Sequence, residues 1–153
     1  MKFIKGCFLS MICLGLSMPA YASENQLEAY ISSFDYAARK EMKIDSKGLI
    51  ELLKQGKAQL IDIRFAEENA AWKVEPSLSI PLNQLPQKLS LLDKSKVIVT
   101  ACPHKDRATI AMVYLRSKGY KAKYLTDGLT GMVENLRGDN AKSFIDSLEQ
   151  LKP

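Results

Sequence analysis

Apolar positions recur along this chain with two different periods, and the alternation between them outlines a fold. From Glu24 to Met42 the residues Leu27, Tyr30, Ile31, Phe34, Ala37, Ala38 and Met42 return at three- and four-residue steps, which predicts an amphipathic helix. Ile44 to Lys47 reads as a short extended piece with Asp45 or Ser46 as N-cap, followed by a helix from Gly48 to Gln55 that stops at Gly56. Beyond it, short apolar runs and helical stretches take turns. Strands are expected at Leu60–Ile63, Leu78–Ile80 (closed by Pro81), Val97–Ala101 and Ala122–Leu125. Helices are expected at Glu67–Trp72, over most of Leu82–Leu92 and at Ala108–Lys118, then from a Gly128–Gly131 turn onward to Leu151. Strands separated by helices of about ten residues call for right-handed crossovers. The expected fold is therefore α/β, with a central, mostly parallel sheet and helices on both faces.

Composition narrows this picture little. The chain has 153 residues, 46% hydrophobic and 25% charged, ordinary values for a globular protein with one core. The N-terminus changes more. Lys2 and Lys5 precede an apolar stretch through Ile12 to Met18, and Ala20-Tyr21-Ala22 offers the small residues of a cleavage site before Ser23. Residues 1–22 are thus expected to be a signal peptide cut after Ala22, which makes the protein periplasmic or otherwise exported. The apolar stretch is short against the roughly 20 residues of a membrane span, so no stable membrane insertion is expected once the signal is removed. Residues 23–43 then form an N-terminal helical extension and residues 44–153 the domain itself.

Removing residues 1–22 takes Lys2 and Lys5 and no acid, so the net charge falls from +5 to +3. With basic residues scattered among acids, no nucleic-acid partner is expected. Cys7 and Cys13 leave as well, and Cys102 remains the only thiol. A lone cysteine in an exported chain is either a buried, inert residue or one kept for chemistry.

Its setting favours chemistry. Val97-Ile98-Val99-Thr100-Ala101 runs straight into Cys102-Pro103-His104-Lys105-Asp106-Arg107, and a helix follows. In a parallel sheet, ligands bind where strands end and loops enter the next helix. Converging N–H groups and the positive end of the helix favour negative charge there, and Lys105 and Arg107 act in the same direction, so the thiol is expected to ionise readily. One His and one Cys do not make a metal-ligand set, and no metal or other cofactor is expected. A dithiol mechanism would need a second Cys where Lys105 stands.

These residues resemble the rhodanese homology domain over about Ile44 to Arg137. Leu60-Ile61-Asp62-Ile63-Arg64 is similar to the family's early strand with its Asp-x-Arg signature. Glu68-Asn69-Ala70-Ala71-Trp72-Lys73-Val74-Glu75-Pro76-Ser77-Leu78-Ser79-Ile80-Pro81 runs without a gap along the segment that usually reads E-Y-x-x-G-H-I-P-G-A-x-x-I-P. Tyr124-Leu125-Thr126-Asp127-Gly128-Leu129 is similar to the late strand and its L-x-G-G-x turn. The resemblance implies a rhodanese-like three-layer sandwich and a single-domain sulfurtransferase. In that mechanism Cys102 takes sulfur from a small anionic donor such as thiosulfate, forms a persulfide, and passes the sulfur to cyanide or to a thiol acceptor, protein thiols included.

The loop departs from the family's C-x-x-G-x-R. Lys105 stands where a Gly would curl with positive φ, which implies an altered loop path or a strained residue. The implied site is Cys102 with the loop Pro103, His104, Lys105, Asp106, Arg107 and Ala108. Arg107 reads either as a two-pronged clamp on the donor or as a residue pinning the loop to a carboxylate. His104 is a candidate acid or base, although persulfide transfer moves few protons. Asp62 and Arg64 are expected to support the sheet edge and neighbouring loop, and Trp72 either to fill core, the preferred reading, or to wall the substrate cleft. A phosphatase is disfavoured because Arg107 comes five positions after Cys102, not six. The alternative is a catalytically silent binding module, or a sulfur carrier with no turnover of its own.

Overall fold

The computed structural model describes residues 25–151, so the expected signal peptide lies outside the described residues. Five strands form one sheet: β1 (Lys43–Ile44), β2 (Ala58–Asp62), β3 (Leu78–Ser79), β4 (Val97–Ala101) and β5 (Ala122–Leu125). They lie in the order β1-β5-β4-β2-β3, and every pairing is parallel. β4 is central, in register with β2 from Ala58↔Val97 to Asp62↔Ala101 and with β5 from Ile98↔Ala122 to Thr100↔Tyr124.

Alternation along the strands feeds two cores, and this is what makes the molecule three-layered. Ile61, Ile63, Ile98 and Ala122 pack with Ala108, Ala111, Met112 and Leu115 of α5 (Asp106–Ser117). Leu60, Val99, Ala101 and Leu125 point the other way. They meet Leu49, Ile50 and Leu53 of α3 (Ser46–Lys54), Leu129 and Met132 of α6 (Gly128–Asn135), and Phe144 of α7 (Asp139–Glu149). Each such aliphatic side chain, fully buried, contributes about 2 kcal/mol. Cys102 continues the alternation of Ile98 and Thr100 and so falls on the α5 face.

Several elements differ from the sequence reading, each for a local reason. The expected helix from Glu24 to Met42 is two, α1 (Asn25–Ser32) and α2 (Tyr36–Glu41), because the Asp35 side chain accepts Ala38 N–H at 2.8 Å and starts a new helix. Asp45, not Ser46, caps α3, accepting Gly48 N–H at 2.8 Å. Leu82–Gln87 and Leu89–Leu91 are tight 3-10 turns; Pro86, without an N–H, sits inside the first. The expected Gly128–Gly131 turn is the first half of α6. Between β2 and β3, α4 spans Ala66–Ala71.

Candidate active site

β4 is a buried, β-branched strand, and it delivers Cys102 at its carboxyl end with the residue fully buried. The next three residues bend, and α5 starts at Asp106. Two neighbours hold this loop from outside. The Thr100 hydroxyl donates to Ala108 O at 2.8 Å, tying β4 to the first turn of α5. From the far side, Leu129 N–H donates to Cys102 O at 2.9 Å and the Thr130 hydroxyl to Pro103 O at 2.9 Å. Gly128, at φ +65°, makes that approach feasible, since a Cβ there would overlap the carbonyl oxygens of Pro103 and His104. Asp127, beside it, accepts Ser46 N–H at 3.1 Å, so the residue standing where the family turn has Gly anchors the start of α3.

Lys105 adopts φ −151° and ψ −18°, and among the described residues only glycines have positive φ. The strained-residue alternative is therefore corrected: Lys105 is not left-handed. Lys105 O instead accepts both the amide and the hydroxyl of Thr109, at 2.9 and 2.8 Å. The side chains of His104 and Lys105 are exposed.

The thiol's protonation is also not what the sequence suggests. Burial pushes the Cys102 thiol up from its ordinary range. The amides of Ala108 and His104 pull it back, but Asp106 adds to the rise by accepting the thiol proton, Sγ to Oδ1 at 3.4 Å, and by its charge. The Asp106 carboxyl is held below its usual range, first by the amide of Arg107, then by the thiol and by its own amide. The positive end of α5 is thus answered by a carboxylate from the protein itself. The expected depression of the thiol fails first because burial outweighs the loop amides, and the Asp106 carboxylate beside the sulfur adds to the rise.

Arg107 is committed elsewhere as well. Its fork meets Glu68, NH1 to Oε2 at 2.6 Å and NH2 to Oε1 at 2.8 Å, and its guanidinium lies 5.8 Å from the centre of the Phe65 ring. The pair lowers the Glu68 carboxyl from 4.5 to about 2 and raises Arg107. Glu68 also accepts Phe65 N–H at 3.1 Å, so one carboxylate starts α4 and pins the Cys102 loop.

Asp62 and Arg64 lie at and just beyond the end of β2, both fully buried. Arg64 Nε donates to Oδ1 at 2.9 Å and NH2 to Oδ2 at 2.6 Å of Asp62. NH2 also reaches Trp72 O at 2.7 Å, and Asn69 donates to Asp62 Oδ2 at 2.8 Å. The C-terminal half of α4 and its cap are therefore tied to one buried ion pair. Trp72 is not core filler: it is 39% exposed, with Arg64 3.9 Å from its ring centre. Among the described residues, no group of three or more His, Cys, Asp or Glu gathers as a metal site.

Sequence reasoning named Cys102, the loop and the Asp62–Arg64 support, but not Glu68, Gly128 or Thr130 as parts of the site. Glu68 stood at the head of the segment aligned to the family pattern, and that was its only trace. Asp106 was included as a loop residue with no role.

Comparison with known proteins agrees with the fold. A family model described as a rhodanese-like domain matches residues 45–135. A protein of Allochromatium vinosum named a sulfurtransferase is 31% identical over 97 residues, which are 63% of this chain and 81% of that protein. Among solved structures, the reduced Bacillus anthracis CoADR-RHD aligns at 26% identity with a TM-score of 0.58 over 66% of this chain, which spans only 19% of that larger chain. A rhodanese-related protein of Thermoplasma volcanium aligns with a TM-score of 0.55 over 61% of this chain and 91% of its own; at 24% identity that likeness speaks to the fold alone.

Proposed function

The chain belongs to the rhodanese-like domain family, and from that premise we propose that it is a sulfurtransferase working through a persulfide on Cys102. The observation that carries the reading is the placement of the sulfur, buried where the central strand ends and the loop enters α5. Backbone N–H groups at such a junction stabilise charge on sulfur in the thiolate, and again when the thiolate is regenerated. In the first half-reaction the Cys102 thiolate attacks the outer sulfur of a donor, and the remainder of the donor leaves with the electron pair of the broken bond. In the second, an acceptor thiolate attacks the terminal sulfur of the persulfide and Cys102 leaves as thiolate. Sulfur moves and nothing is oxidised overall.

The protonated resting thiol fits this scheme if the proton leaves as the donor arrives, and Asp106 is the base in contact with it. Arg107, already paired with Glu68, shapes the loop and is not a free clamp for the donor. The export of the chain belongs to the same proposal and rests on residues 1–22.

Intact mass spectrometry tests the reading. After incubation with a sulfane donor the protein is expected to gain the mass of one sulfur atom and lose it on reduction, and Cys102→Ala is expected to gain nothing. No adduct with any donor overturns the proposal. The raised thiol favours a second reading, a sulfur carrier without turnover, which predicts the same adduct but no release to small thiols or cyanide.

A further inference from the structure

Accepting Cys102 as the sulfur carrier, we propose that Asp106 selects the donor: the site takes sulfur from an organic persulfide, R–S–S–H, and discriminates against dianions such as thiosulfate. The two features that would welcome a dianion are both taken by the protein's own carboxylates. The Asp106 carboxylate, on the first residue of α5, stands 3.4 Å from Sγ, at the positive end of that helix. The Arg107 fork is filled on both prongs by Glu68, at 2.6 and 2.8 Å. A thiosulfate ion placing its outer sulfur on Sγ brings its sulfonate into the neighbourhood of the Asp106 charge, while the loop's own guanidinium, Arg107, is already paired with Glu68. Lys105 is exposed, as Asp106 is, but the contact with Sγ is made by Asp106.

A persulfide has the opposite complementarity. Its terminal S–H can donate to the carboxylate that repels a sulfonate, and its leaving group is a thiolate that can recover a proton there. The step closes as follows. The Cys102 thiol gives its proton to Asp106, and Sγ bonds to the terminal sulfur of R–S–S–H. The donor's S–S bond breaks with its electron pair on R–S⁻, and that thiolate takes the proton from Asp106. The products are Cys102–S–S–H and R–SH, with no oxidant or reductant consumed.

The test compares kcat/KM for thiosulfate with that for glutathione persulfide and for the persulfide of a cysteine-containing peptide, in wild type and Asp106→Asn. Taking the ratio of donors cancels the ionisation of the shared thiol, which the substitution also changes. Wild type is expected to prefer a persulfide, and Asp106→Asn to shrink that preference roughly tenfold or more by admitting thiosulfate. Whichever persulfide is faster tells a small thiol from a polypeptide as R. Added salt is expected to raise thiosulfate kcat/KM in wild type and leave it flat or lower in Asp106→Asn, a response that a merely structural role would not produce. Equal use of thiosulfate and persulfide by wild type, or a ratio unmoved by Asp106→Asn, overturns the inference while leaving the Cys102 adduct intact. Failure of every donor to form the adduct overturns the underlying reading instead.

Discussion

At the scale of single residues, the contest is over one proton on Cys102. Burial and Asp106 hold it on the sulfur, and the amides of His104 and Ala108 work to release it; the direction of the outcome is upward. The sign follows simply. A raised thiol has less thiolate at neutral pH than an ordinary cysteine, so its reactivity continues to climb where a free thiol levels off. Alkylation of Cys102 by iodoacetamide is expected to be slow at pH 7 and still increasing above pH ~8.5, the usual thiol value. A plateau below that pH would count against the geometry described here. The sequence made the thiol legible but not its protonation. Lys105 and Arg107 are visible as nearby cations, whereas the approach of Asp106 to the sulfur and the pairing of Arg107 with Glu68, 39 positions upstream, depend on the folded chain.

At the scale of elements, the site is an agreement between β4, the start of α5 and the start of α6. β4 was readable residue for residue, because an unbroken β-branched run bounded by polar residues has few other uses in a parallel sheet. α6 was misread as a turn, since two glycines within four residues weaken any helical pattern. The first of them is required by its seat under the loop. Gly128→Ala is expected to combine an unfavourable φ with an overlap against backbone that has no flexible end to give way. A loss of about 2 kcal/mol or more in stability is expected, with slower sulfur loading of Cys102. Urea unfolding and intact mass measure the two effects, and a neutral substitution would show that the loop is not held from this side. The Leu82–Leu92 segment and the break at Asp35 were missed for related reasons: Pro86 and a single cap outweigh apolar spacing that otherwise reads as helix.

At the scale of the whole molecule, short apolar strands taking turns with helical stretches are sufficient to predict a layered α/β fold, because a parallel sheet crossed over by helices is covered on both sides. The buried Asp62–Arg64 pair is the exception that the pattern could not price. Two charges in a core are costly unless their hydrogen bonds are met, and here the pair, all but Arg64 NH1, spends its bonds within itself and on Asn69 and Trp72, so α4 is fastened to the sheet. The proposed export belongs to this scale too. The protein recovered from the periplasm of an expressing bacterium is expected to begin at Ser23 by N-terminal mass analysis, and a retained Met1 would place it elsewhere.

The sheet's outer strands have a consequence of their own. β1 and β3 contribute two residues each, while the inner three are twice that length or more. A neighbouring copy that tried to extend the sheet would find only a couple of backbone groups to zip onto, and then a helix or a turn. The molecule can therefore be crowded among its own kind with little tendency to polymerise through its margins.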